Sequence, residues 1–311
     1  MSWLGPVAQA WLVAVATGIG LPLGALALLM IHKLTGGLWG VEAWPVLRRI
    51  AGLVPLTLLL GLPLIAAIDL LLPFLTQAPD TLPPRAAAKL GYLRPAWIIV
   101  RTIVVAGAWM AALQLYDRSR TWSVFGLIAY MLGLTVFTTD WMQALDPTYY
   151  STIYPVEVAG AQILGAMALT VALVPVDAKG DFGKLLLAVL ISWAYFAAMQ
   201  WVISWMGNLP DEAAWYLKRS AGWWGALLMI MLMLIGIVPF FALLRSDVRQ
   251  NLDRLRPVAW LVVAGYVLEN VWRLAPAFAP DPLILPAVLA LGAVFYWALI
   301  GRTRRLEARH V

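Results

Sequence analysis

The sequence of 311 residues has no cysteine and only two histidines, His32 and His310. The first absence excludes disulfides, thiolate zinc sites and cysteine-ligated iron–sulfur clusters within the chain. The second excludes a membrane-embedded pair of imidazoles holding a b-type haem between helices, because His310 falls in the C-terminal tail. No other residue set reads as a metal site, so redox chemistry would need a diffusible cofactor or a neighbouring subunit. Charge is also scarce: Asp, Glu, Lys and Arg make up 12% of the chain, against about a quarter in soluble domains. What is present is apolar and aromatic, with 63% hydrophobic residues, 17 tryptophans and a mean hydropathy of +0.84. This composition predicts an integral membrane protein. The net charge of +6 fits the bias of basic residues toward cytoplasmic loops, without nucleic acid as a partner.

Apolar runs of about 20 residues, rather than short alternating segments, predict an all-α polytopic fold and exclude a barrel. Windows bounded by charge and by Pro/Gly clusters place about nine spans near residues 9–31, 50–74, 95–115, 122–141, 154–175, 184–206, 223–244, 257–274 and 283–300. The first run has no Lys or Arg before it and exceeds the length of a signal h-region, so it reads as a retained helix. Of the 22 Lys and Arg, fifteen fall on one side of this arrangement; six fall on the other (Arg85, Lys89, Arg94, Lys218, Arg219 and Arg273), and Arg101 lies inside a span. The positive-inside rule then puts the N-terminus outside and the C-terminus in the cytoplasm. No linker interrupts the pattern, which predicts a single membrane domain over residues 1–311. Gly18, Gly20 and Gly24 predict close approach of the first helix to a neighbour.

Charges inside a membrane span cost about 2.5–3.5 kcal/mol each at the helix centre, so each needs a reason. Six qualify: Asp69, Arg101, Asp140, Glu157, Glu269 and Arg273. Run in their assigned directions, the spans place all six in the outer half. Snorkelling to the headgroups is the structural alternative for Asp140, Glu157 and Arg273. Glu269 and Arg273 are four apart and can pair on one helical face. The stretch Thr139–Tyr154 sets Asp140 and Asp146 among aromatic residues where a span meets water, with Asp146 before Pro147 read as shaping the turn. Neutral groups such as Tyr130 and Tyr266 occupy the inner halves, and His32 is the one histidine near a path to the cytoplasm. Single tryptophans at span ends read first as an aromatic belt.

Several motifs resemble one family. Asp140-Trp141-Met142-Gln143-Ala144-Leu145-Asp146-Pro147, followed by Tyr150-Ser151-Thr152-Ile153-Tyr154, resembles a D-W-x-M-S-L-x-P-x-x-x-S-T-I-Y stretch, with the methionine–serine order displaced. His32-Lys33-Leu34-Thr35-Gly36-Gly37-Leu38-Trp39-Gly40 looks like H-H-L-T-G-G-x-W-G, and Lys89-Leu90-Gly91-Tyr92-Leu93 with Arg101 like K-x-x-Y-L-N…R. Ser204-Trp205-Met206-Gly207-Asn208-Leu209-Pro210 with Trp215-Tyr216 resembles W-S-G-N-L-P…W-Y. Leu268-Glu269-Asn270-Val271-Trp272 with Pro276-Ala277-Phe278 resembles V-D-L-Y-W…P-A-F, with Glu269 in place of an aspartate. The family is that of ActF-like, NrfD-related membrane subunits of alternative complex III, a quinol:cytochrome c oxidoreductase of the bacterial inner membrane.

The resemblance implies an NrfD-like pair of four-helix bundles plus an extra C-terminal helix. It implies a non-haem subunit of a quinol-oxidising complex, without iron–sulfur cluster or metal of its own. Its partners would be an NrfD-like sister membrane subunit, periplasmic iron–sulfur and multihaem cytochrome c subunits, a terminal oxidase and the lipid bilayer. Asp140, Glu269, Asp69, Arg101 and Glu157 are then the candidates for proton handling. Trp141, His32, Tyr154 and Arg273 are the candidates for contacting a quinone. Two other classes stay open: a structural anchor whose outer loops dock a partner, and a stand-alone transporter, for which repeated broken helices or midplane charges would be expected.

Overall fold

A computed structural model describes residues 3–178, 180–278, 284, 286–294 and 298. Every regular element among them is helical. In chain order these are α1 (Leu4–Thr35), α2 (Leu38–Ala51), α3 (Val54–Ala66), α4 (Ile68–Leu71), α5 (Pro84–Lys89), α6 (Pro95–Leu115) and α7 (Arg120–Trp141). There follow α8 (Tyr154–Leu173), α9 (Phe182–Met206), α10 (Pro210–Ser220), α11 (Trp223–Leu232), α12 (Val238–Leu244), α13 (Ser246–Arg249) and α14 (Leu252–Leu274). A five-residue π-helical segment, Met233–Ile237, joins α11 to α12 without a break in direction.

Eight segments of the described residues are long and apolar enough to cross a membrane: Leu4–Thr35, Leu38–Ala66, Pro95–Leu115, Arg120–Leu145, Tyr154–Leu173, Phe182–Met206, Trp223–Leu244 and Leu252–Ala277. The ninth predicted span, 283–300, is described only at residues 284, 286–294 and 298. The second observed span begins earlier than the predicted 50–74. Glu42, Arg48 and Arg49 lower the hydropathy of α2, although α2 turns straight out of the Gly36–Gly37 corner, where both glycines have positive φ (74° and 104°). It bends at Gly52–Leu53 and continues as α3, whose first turn carries Pro55.

Local chemistry fixes the other ends. Ser119 caps α7 by accepting the Trp122 amide at 3.3 Å, and Asn251 caps α14 by accepting the Asp253 amide at 2.9 Å. Such caps satisfy helix-end donors that would otherwise have no partner. Proline opens α6, α8 and α10, where its missing N–H costs nothing. Helix α9 stops before Asn208, which takes a left-handed φ of 49° ahead of Pro210.

In lipid, hydrophobicity does not separate inner from outer helices; small residues that permit close approach do. The most apolar windows of α1 and α8 are 94% and 83% buried, against 22% for α6 and for α9. Gly24 of α1 faces the Gln162 backbone of α8, and a β-carbon there would meet Ala166 Cβ at 2.9 Å. Gly165 of α8 leaves room for the Tyr266 ring of α14. Helices α1, α8 and α14 therefore form the central packing unit. Around it, α6, α7, α9 and α11–α12 present Ile103, Val104, Phe125, Leu132, Tyr195 and Phe241 outward.

Candidate functional site

Two central helices, α8 and α14, bring ionisable side chains together near one end of the bundle, and the adjacent α9 adds an indole. Arg273, in the last turn of α14, is 1% exposed and uses a single nitrogen, Nη2, to reach both Glu157 Oε1 of α8 at 2.9 Å and Glu269 Oε1 of α14 at 2.7 Å. Trp193 of α9 donates from Nε1 to the same Glu269 oxygen at 3.0 Å. The second oxygen, Glu269 Oε2, is buried without a hydrogen-bond partner, as are Arg273 Nε and Nη1. Tyr154 packs its ring 5.6 Å from the guanidinium carbon. With both carboxylates ionised this triad carries one excess negative charge, and one added proton neutralises it.

A cavity of about 370 Å³ opens beside the triad. Glu157 and Glu269 line it together with Trp193, Trp201, Trp205, Tyr216 and Trp272 and with small and aliphatic residues of α9, α10 and α11. Trp201 and Trp205 are half-exposed on the bundle surface, so the cavity opens sideways, where lipid would lie, rather than into an aqueous vestibule. An apolar, aromatic chamber with a few convergent polar groups is the usual form of a small-molecule site.

The triad connects to the end of the bundle through a second set of polar contacts. Arg219 of α10 donates from Nε to the Arg273 carbonyl at 2.9 Å and from Nη2 to Asp146 at 2.8 Å, while stacking its guanidinium 3.7 Å from the Trp215 ring. Lys218 reaches Asp146 at 3.0 Å from a partly exposed position. Burial alone would raise the Asp146 carboxyl, but the charges of Arg219 and Lys218 reverse this and leave it below its ordinary 3.8. Burial pushes Arg219 down, with the Asp146 charge acting against it. Trp215 stacks on Tyr149 at 4.8 Å, and Gln200 donates to the Tyr149 hydroxyl. Lys89 donates to the Tyr149 carbonyl at 2.6 Å; desolvation, then the charge of Arg85, lowers it to about 8. Arg85 bridges to Glu212 at 3.0 Å and Asp211 at 3.1 Å. Helix α10 is thereby clasped over the triad by α5 and by the Asp146–Tyr149 turn.

The remaining predicted residues divide. Asp140 is buried and held in a two-point pair by Arg101, at 2.8 and 3.1 Å, and Arg101 also stacks 3.9 Å from Tyr92. Trp141 donates to Thr102 Oγ1 at 2.9 Å and sits in the packing below this pair. No hydrogen bond or ion pair links Asp140–Arg101 to the Glu157–Arg273–Glu269 triad among the described residues. Asp69 is exposed on the four-residue α4 and joins neither group. His32 lies at the far end of α1, its ring 5.3 Å from Trp39 and 6.1 Å from Trp44, with Nδ1 3.2 Å from the Gly36 carbonyl oxygen. The structure therefore brings together Glu157, Glu269, Arg273 and Tyr154, and leaves Asp69 and His32 apart.

Asp146, Arg219 and Trp193 were not among the predicted site residues. Asp146 does lie in a turn, its carbonyl accepting the Tyr149 amide at 2.9 Å, and its side chain is in addition an ion-pair partner of α10. The polar and aromatic character of residues 207–219 was the available signal for Arg219; nothing in the sequence marked Trp193 among 17 tryptophans. A scan of the chain against protein-family models finds no match, and a search of curated proteins finds none either.

Proposed function

We propose that this chain is the non-haem membrane subunit of a quinol-oxidising respiratory complex in a bacterial inner membrane, and that the cavity beside the triad receives the quinol. The observation that carries this reading is the Glu157–Glu269 carboxylate pair lining an aromatic chamber at the side of the bundle. A flat ring carrying hydroxyl groups fits between indole walls, and a lipid-soluble molecule reaches such a chamber without crossing water. Oxidation of a quinol releases two electrons and two protons. Glu269 accepts the two protons in turn, passing the first outward before it takes the second, and Arg273 keeps the oxygen shared with Trp193 in place. The Arg219–Asp146 contacts lie between the triad and the end assigned to the outside, the side on which the proton leaves; the Arg219 guanidinium stays charged and does not relay it. The electrons then leave through centres on partner chains, because the sequence has no cysteine and only two histidines, His32 and His310, to bind them.

The same end of the bundle suits the docking of a periplasmic iron–sulfur or multihaem subunit. A purely structural anchor is the competing reading, and the clasp of α10 by Arg85, Lys89 and Asp146 is the observation in its favour. Replacement of Glu269 by Gln separates the two, since the amide keeps the shape and removes the basic oxygen. Quinol titrated into the reconstituted chain should quench tryptophan emission in the parent protein, because Trp193 and Trp272 line the cavity. In E269Q the quench should weaken, and turnover of the assembled complex should fall by about two orders of magnitude, the usual worth of a positioned base. No quench in the parent, or unchanged turnover in E269Q, would leave the anchor as the function.

A further inference from the structure

At the end of the bundle that the charge count assigns to the cytoplasm, a second cavity of about 550 Å³ lies between the α2–α3 bend and the last residues of α6. Arg48 and Arg118 face it, with Gln114, Tyr116 and Leu113. Neither arginine forms an ion pair among the described residues. Asp117, the one carboxylate in the crevice, is already bound to Lys33 at 3.0 Å. The crevice therefore holds two guanidinium charges with no anion assigned to them.

Its depth is marked by aromatic rings. Tyr116 lies 5.9 Å from Trp44, which lies 6.1 Å from His32, and amphipathic rings of this kind settle at the headgroup level of a bilayer. Away from the rings toward mid-bilayer, α3 and α6 are largely uncovered, with Leu59 and Val104 more than half exposed. The crevice thus combines a cationic head and adjoining apolar helix faces. A guanidinium fork matches the oxygens of a phosphate, and basic pockets between membrane helices on the cytoplasmic side select anionic headgroups.

We propose that this crevice binds the phosphate of an anionic phospholipid, with Arg48 and Arg118 as the two clamps and the acyl chains lying along α3 and α6. Free phosphate shares the recognised chemistry but makes no use of the apolar faces. A zwitterionic lipid offers the phosphate but brings an ammonium group toward the arginines.

The test is native mass spectrometry of the full chain released from nanodiscs of phosphatidylcholine mixed with phosphatidylglycerol. The parent chain should retain phosphatidylglycerol over phosphatidylcholine by about tenfold or more, the worth of two arginines near a surface. The double substitution R48Q/R118Q should remove that preference, each single substitution should remove part of it, and R94Q, at the opposite end, should keep it. All three side chains are exposed, so folding is not at stake. Equal retention of both lipids by the parent, or an unaltered preference in R48Q/R118Q, overturns the proposal. Displacement of the lipid by inorganic phosphate alone also overturns it, because the crevice would then be a free-anion site.

Discussion

Arg273 makes both of its ionic contacts through one nitrogen, and two further guanidinium nitrogens stay buried without partners. An orphaned buried polar group costs about 1–3 kcal/mol, and this cost is what sets the triad apart from an ion pair that only holds two helices. Asp146 works differently, because its ionic partners satisfy it fully and its carboxyl is held below 3.8. A depressed carboxyl contributes stability that is present above the unfolded value and lost as pH falls through the folded one. Thermal stability of the parent chain should therefore drop as pH goes below the ordinary carboxylate range. D146N should be less stable at neutral pH and show a shallower acid decline; parallel pH curves for the two proteins would separate Asp146 from the stability of the α10 clasp. Part of the site was legible at this scale. The four-residue spacing of Glu269 and Arg273 announces their contact in a helix. Glu157 lies 116 positions from Arg273 and Asp146 lies 73 from Arg219, so only the folded packing of α8, α10 and α14 brings them in.

Among the elements, α1 is the one on which the others converge. At 32 residues it is about 48 Å long, well beyond a hydrocarbon core of about 30 Å. Its glycines set how near α8 can come, and α8 carries Glu157. Replacing Gly24 by Leu inserts a side chain where the Gln162 backbone and Ala166 already stand. Overpacking of this kind costs about 1–3 kcal/mol, and here it also displaces the helix that bears half of the carboxylate pair. G24L should lower the melting temperature and weaken quinol quenching together, whereas G91L, where a β-carbon meets nothing within 4 Å, should leave both intact. Loss of binding in G91L as well would remove the geometric argument. Helix positions were largely readable because apolar runs of membrane length admit few alternatives. The π-helical segment Met233–Ile237 was not, since the run Leu227–Leu244 is apolar on every side and carries no periodic signal; the turn forms where Ile235 packs against Gly265.

For the molecule as a whole, function depends on which way the bundle stands. The triad, the Asp140–Arg101 pair and the α10 clasp gather at one end, and the Arg48–Arg118 crevice and the arginine-rich α13 region lie at the other. The electrostatics of a membrane make this more than a label. In the proposed function a proton released from Glu269 leaves on the side of the clasp, and anionic lipids concentrate on the side of the basic loops. The proposed outward release of protons fails if the bundle is inverted, so orientation is the property to measure first. The chain's lack of cysteine makes the measurement clean, because any introduced thiol is the only one present. Ala78, in the exposed segment before α5, and Gln250, after α13, are both solvent-exposed and mark opposite ends. In right-side-out vesicles a membrane-impermeant maleimide should label A78C directly and Q250C only after permeabilisation. The reverse pattern would place the triad on the cytoplasmic side. It would turn proton release at Glu269 into proton return to the cell and deny the outer end to a periplasmic electron acceptor.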